Sequence, residues 1–300
     1  MNTITYLELA DFEQVVPPPY ERSSFYYSFS FLPKDERNAI SSVYAFCSYI
    51  DDIVDSTPSY SHNSIQRKKE RLNWWESQIE EIYSGKNMNP LIAPLVIVIH
   101  RFGIPKQYFL TLIDSCRRDL TQLRYQTFED LKKYCYGVAS TVGLISIEIF
   151  GYKYEETKNY AINLGYALQL TNILRDIKVD KDRGYIYLPQ EDLKRFDYSE
   201  QDLKNEIYND KFIELMRFET QRAREYFHKA RTFLRPDERI TITSAEIMDA
   251  IYYRLLDKIE LNEFNVYKNK IHVANIHKLM IAMKHWLSIK MFVKRLKKQP

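Results

Sequence analysis

Glycine and proline are scarce, with 7 and 11 in 300 residues. That leaves too few turns for an all-β architecture. Cysteine is scarcer still: Cys47, Cys116 and Cys135 have no metal or redox spacing. They sit in apolar helical patterns, so they read as buried, reduced thiols. No uncharged apolar run reaches the roughly 18–20 residues of a membrane span. The longest covers 134–147 and stops at Glu148. No basic segment precedes an apolar core near Met1, so no signal peptide is read there. The six histidines form no ligand pair, which speaks against zinc. With no Gly-x-Gly-x-x-Gly and no Walker loop, a built-in NADPH or nucleotide site has no support. A net charge of +3 without an aromatic-interleaved basic stripe argues against nucleic acid as a partner. These absences fit a cytoplasmic protein, at most peripheral at the inner membrane face.

What is present is helical periodicity. Residues 1–22, ending near Pro17-Pro18-Pro19, read as an N-terminal arm, and 23–300 as one all-α domain. The alternating aromatics and serines of 23–31 suit either a strand or a short helical lining segment. Pro33 then opens a helix that runs into the acidic cluster at 51–55. Further helices are expected over 67–82, from Asn89-Pro90 to Gly103, over 106–120, 128–150, 154–177, 209–233, 236–259 and 276–296. The stretch 182–189 is irregular. Gly137, Gly143 and Gly165 fall inside helical periods, where each costs about 1 kcal/mol relative to Ala. Close helix contact or a ligand-wide cavity would justify them.

Asp51, Asp52 and Asp55 interrupt an apolar pattern of Phe46, Ile50, Ile53 and Val54. Residues four apart share a helix face, so Asp51 and Asp55 project together and repel unless a cation intervenes. Gln169, Asn172, Asp176 and Asp180, spaced by 3, 4 and 4, form a second row among Leu168, Leu170, Ile173 and Leu174. Two facing rows of oxygen ligands suit hard divalent cations that keep positions open for water and substrate phosphate. Arg175 could bind diphosphate oxygens bidentately or form an ordinary helix ion pair. Asp119, in Arg117-Arg118-Asp119-Leu120, reads as an ion-pair partner or a site residue. Some of the 24 tyrosines and 16 phenylalanines could face a cavity and stabilise a carbocation.

These motifs resemble the squalene/phytoene synthase family, the head-to-head prenyl diphosphate synthases. The resemblance runs from Ser24-Phe25-Tyr26-Tyr27 and Phe31-Leu32-Pro33 through 51–55 and Tyr134-Cys135-Tyr136-Gly137-Val138-Ala139. It continues to Leu170-Thr171-Asn172-Ile173-Leu174-Arg175-Asp176 and Arg183-Gly184-Tyr185-Ile186-Tyr187-Leu188-Pro189. It implies an all-α isoprenoid synthase fold around an apolar cavity. It also implies Mg²⁺ (or Mn²⁺) on Asp51, Asp55, Asn172, Asp176 and Asp180. Ser24, Phe25, Tyr44 and Arg175 would lie near the diphosphates. Asp52, Asp119, Tyr134 and Gln169 would lie in the substrate site, with Val138, Val142 and Leu168 bearing on cavity depth. Asp51, Asp55, Asp176, Asp180, Arg175 and Tyr44 form the expected catalytic set.

The implied reaction ionises one allylic diphosphate, and a second molecule's double bond attacks to give a cyclopropylcarbinyl diphosphate. The run 144–152 favours two farnesyl diphosphates and a presqualene/squalene-type C30 product. Two geranylgeranyl diphosphates giving phytoene is the alternative, and a non-catalytic prenyl-diphosphate-binding subunit the remote one. Two departures stand out: Ser48 replaces an Arg that many relatives carry, with Lys34 or Arg37 as candidate substitutes, and Lys270 replaces another Arg. At the C-terminus, Ile281, Ile289, Phe292, Val293 and Leu296 gather on one helix face, with Lys284, Lys290, Lys294, Arg295, Lys297 and Lys298 largely opposite. Such a helix packs on the domain or rests on an anionic membrane.

Overall fold

The computed structural model describes residues 24–55, 62–86 and 89–296, with the side chains of 24–25, 62–63 and 290–296 outside that description. The expected arm at 1–22 lies outside the described residues. The architecture is all-α, without strands among the described residues; one isolated bridge pairs Arg124 with Ile186. Among the described residues thirteen α-helices follow in order: α1 Ser24–Phe29, α2 Lys34–Asp55, α3 His62–Tyr83, α4 Ala93–Phe102, α5 Lys106–Asp119, α6 Phe128–Cys135 and α7 Thr141–Phe150. Then come α8 Glu156–Asp182, α9 Gln190–Arg195, α10 Glu200–Lys204, α11 Asp210–Thr232, α12 Thr243–Leu261 and α13 Asn275–Leu296.

The helix reading of 23–31 holds, since α1 covers most of that segment. Its aromatic alternation serves packing: Phe29 is buried and meets the Phe150 ring at 6.1 Å. α2 buries Ala39, Ile40, Val43, Phe46, Ile50, Ile53 and Val54, a 3.6-residue stripe. Each fully buried aliphatic or Phe side chain of that stripe contributes about 1.5–3 kcal/mol. Its direction carries Asp51 and Asp55 to the C-terminal end. Gly103, with φ of 59°, closes α4 in the left-handed region that glycine adopts without a Cβ penalty.

α8 is buried nearly all round and packs against α7, α11 and α12. A helix without a solvated face needs small residues where neighbours come close. A Cβ built at Gly165 would stand 2.5 Å from the Ser140 Cα and 2.6 Å from its backbone nitrogen. Helix contact therefore explains Gly165, and the residue also borders the central cavity.

Several elements differ from the periodicity, among them α3, which begins at His62, and α8, which runs on to Asp182. The helix expected over 128–150 is α6, then a π-turn at Tyr136–Ser140, then α7. Within it the Thr141 hydroxyl donates to the Gly137 carbonyl at 2.6 Å, and Ser140 donates to the Ile162 carbonyl on α8 at 2.8 Å. The helix expected over 236–259 begins only at Thr243, because turns occupy the preceding residues. α9 and α10 follow the irregular stretch. α10 carries a capping box between Ser199 and Asp202.

Candidate active site

A cavity of about 260 Å³ opens between α1, α2, α5, the π-turn, α7, α8 and α12. Its wall is mainly apolar, with Phe29, Ile40, Leu112, Ile147, Phe150 and Met248 contributing. Six of the sequence-predicted site residues reach this wall: Tyr44, Asp51, Val138, Val142, Gln169 and Asn172. Leu168, Cys47 and Ser48 also line it. Cys47 is thus half-buried against the cavity, whereas Cys116 and Cys135 are in the core; all three are free thiols.

Asp51 is exposed on the cavity side of α2, with other carboxyls close around it. Desolvation, with Asp55, Asp52 and Asp119 adding repulsion, pushes it up to about 7. Asp180 is pushed up to about 7 by burial first, then by Asp176; Arg183 opposes this and Asp119 and Asp55 add to it. Asp52 is raised less, by desolvation and then Asp55, with Arg71 pulling the other way. Asp180 on α8 therefore feels the field of Asp55 on α2, 125 residues away along the chain. The two acid rows face one region.

They do not yet form an ion cage. Among the described residues no three His, Cys, Asp or Glu side chains are close enough to hold one cation. Two acids are taken by arginines. Arg183 holds Asp55 at 2.9 Å and donates to its backbone carbonyl at 3.3 Å. Arg175 grips Asp176 with both Nε, at 2.9 Å, and Nη2. The Asn172 Oδ1 atom is buried without any donor. An orphaned carbonyl oxygen beside under-neutralised carboxyls is the donor set a hard divalent cation requires, so the residues fit Mg²⁺.

Asp119 and Tyr134 belong to a neighbouring polar cluster. Tyr187 donates to Asp119 at 2.9 Å, Tyr125 at 3.4 Å, and Tyr134 donates to the Tyr187 hydroxyl at 3.3 Å. Burial outweighs these donors and lifts Asp119 to about 7. The 182–189 stretch thus delivers Tyr187 and Arg183 to the site.

The backbone of Ser24 and Phe25 lies in α1, but their side chains are outside the described residues. Lys34 and Arg37 cannot stand in near Ser48. They precede it by 14 and 11 residues on the same helix, roughly 21 and 16 Å at 1.5 Å per residue. Lys270 is exposed in the loop before α13. The residue missed from sequence is Lys278 of α13. Its Nζ stands 5.7 Å from the Tyr27 ring centroid, and burial followed by the charge of Arg175 lowers its pKa. No local motif could reveal it, because it sits about a hundred residues beyond Arg175.

The model of the squalene/phytoene synthase family matches residues 19–277. A phytoene synthase from Arthrospira platensis is 38% identical over 273 residues, 86% of either chain. The 15-cis-phytoene synthase of Synechocystis sp. is 38% identical over 279 residues, 88% of this chain and 80% of its own. Among solved structures, squalene synthase HpnC from Alicyclobacillus acidocaldarius superposes with a TM-score of 0.74 at 28% identity, covering 87% of this chain and 97% of that one.

Proposed function

The chain belongs to the squalene/phytoene synthase family, and on that premise we propose that it joins two C20 allylic diphosphates head to head to give phytoene. The expectation from residues 144–152 put two C15 diphosphates first. The 38% identity to two phytoene synthases supports the C20 reading better. The C15 reading keeps one specific support, the likeness to a squalene synthase structure.

What supports the chemistry is Asp51, Gln169 and Asn172 on one wall of an apolar cavity, with Asp180 in the field of Asp55 and Asp119. Asp51, Asp55, Asn172, Asp176 and Asp180 would hold Mg²⁺. When bound, the metal neutralises charge on the departing diphosphate. The chain's own groups do the rest. Arg175, once released from Asp176, and Lys278 offer cationic donors to diphosphate oxygens, the former bidentately. The apolar wall excludes water from the allylic cation, which it would otherwise quench. Tyr44 and Tyr252 turn aromatic surface to the same cavity.

Incubating the protein with Mg²⁺ and each allylic diphosphate, then identifying the extracted lipids, tests the reading. Phytoene from the C20 substrate is expected; a C30 product alone would reverse the choice, and no product from either would reject the activity. Ser146 lines the cavity from α7 and is half-buried. Ser146→Phe fills part of that space, so C20 turnover should fall at least about tenfold relative to C15 turnover, since a pocket discriminates through steric exclusion.

Metal binding should depend on pH in a defined direction. Asp51, Asp119 and Asp180 are each raised to about 7, against an unfolded value of about 3.9. A raised acid favours the folded state in its neutral form. That stability is fully present below about pH 4 and is lost as pH climbs through about 7. Mg²⁺ takes the charged carboxylates and competes with protons. The Mg²⁺-induced rise in Tm is therefore expected to be larger at about pH 8 than at about pH 6; an equal rise would contradict the assignment.

A further inference from the structure

Helix α13 is apolar on two sides. Its inner side carries Lys278, Ile281, Ala282, His285, Trp286 and Ile289, all buried or half-buried. Ile281 and Ala282 join the core, and Trp286 meets the Phe31 ring at 5.6 Å. Of the two alternatives for the face of Ile281 and Ile289, packing on the domain is the one taken, since both turn inward. The residues facing out are others: Ile276, Leu279, Met280, Met283 and Leu287, exposed by 40–60%. At 3.6 residues per turn the five fall within about 100° of arc, a continuous stripe rather than scattered apolar positions.

Charge accompanies the stripe. Residues 264–300 contain nine Lys and Arg and no Asp or Glu. The whole chain is only +3, so the residues before them carry a net −6. Lys284 beside the stripe and Lys268 and Lys270 in the preceding loop are exposed.

We propose that the outer face of α13 docks on an anionic lipid bilayer. The helix lies along the interface with Ile276, Leu279, Met280, Met283 and Leu287 in the acyl boundary and the exposed Lys268, Lys270 and Lys284 on the headgroups. A long basic segment without one acid matches a surface of uniform negative charge. The stripe itself holds no Trp, Tyr or Arg, the residues that anchor protein–protein interfaces. The inner side of the same helix contacts α1, whose Phe29 lines the cavity. Docking would therefore bring that wall of the cavity near the bilayer, where a long hydrocarbon dissolves; this last point rests on the proposed function, whereas the docking does not.

Co-sedimentation of the full chain with vesicles tests it without any substrate. Binding is expected to phosphatidylcholine vesicles containing about a third phosphatidylserine, with at least about tenfold weaker binding to pure phosphatidylcholine and release by salt. The double variant Leu279→Ser/Met283→Ser, checked for unchanged Tm, should lose about tenfold in binding. Ile97→Ser, on the exposed side of α4, should lose none. Equal sedimentation with both vesicle types, or unaltered binding by the double variant, overturns the proposal. Binding that appears only after removal of residues 1–22 overturns it too, because that segment would then occupy the face. So does a concentration-dependent dimer, abolished by the double variant, in a chain that ignores vesicles.

Discussion

Asp51→Asn is expected to lower turnover about 10²–10³-fold while leaving the metal-free protein slightly more stable. The first half follows from losing an anionic ligand where the departing diphosphate must be neutralised, the usual scale for removing one electrostatic stabiliser. The second half follows from the free protein's electrostatics. Asp51 is desolvated and repelled by Asp55, Asp52 and Asp119, so a neutral amide removes a cost. Solvent reaching its cavity-facing surface limits the gain to about 1 kcal/mol, or about 2 °C in Tm at this chain length. Steady-state kinetics and calorimetry check the pair of signs. Turnover that survives would reject the metal role, and a lower Tm would reject the repulsion. The same variant also tests the non-catalytic alternative, which has no turnover to lose.

Gly165→Ala is expected to cost about 3 kcal/mol, a fall in Tm on the order of 6 °C. The added Cβ would meet backbone atoms of Ser140, 2.5 and 2.6 Å away, and backbone in the π-turn cannot step aside as a flexible side chain would. The π-turn and α8 must separate, and the Ser140–Ile162 hydrogen bond goes with them. Differential scanning calorimetry of the metal-free protein reads this directly. An unchanged Tm would mean that the contact is looser than the geometry says.

The acid rows were legible because Asp51–Asp55 and Gln169–Asp180 each obey one helical period, and the family motifs fixed their order. Helix direction was legible for the same reason in α2, α5 and α11. The π-turn was not, because Tyr136-Gly137-Val138-Ala139-Ser140 keeps an apolar pattern that an ordinary helix also satisfies. The start of α12 was missed because Pro236 suits a first turn wherever the helix begins. The arginine partners of Asp55 and Asp176 could not be paired from sequence either: one match joins residues 128 apart, the other is between immediate neighbours. Lys278 was invisible for a related reason, since its role arises only from the packing of α13 over α1.

The π-turn has a consequence for how the pocket is phased. One extra residue in a helical turn shifts everything after it by about 100° of azimuth. Tyr134 before the turn points to the hydroxyl-rich cluster around Asp119, whereas Val138, Val142 and Ser146, four residues apart, line the cavity. The polar cluster and the cavity wall are thus served by two helical segments, α6 and α7, phased apart by the π-turn between them.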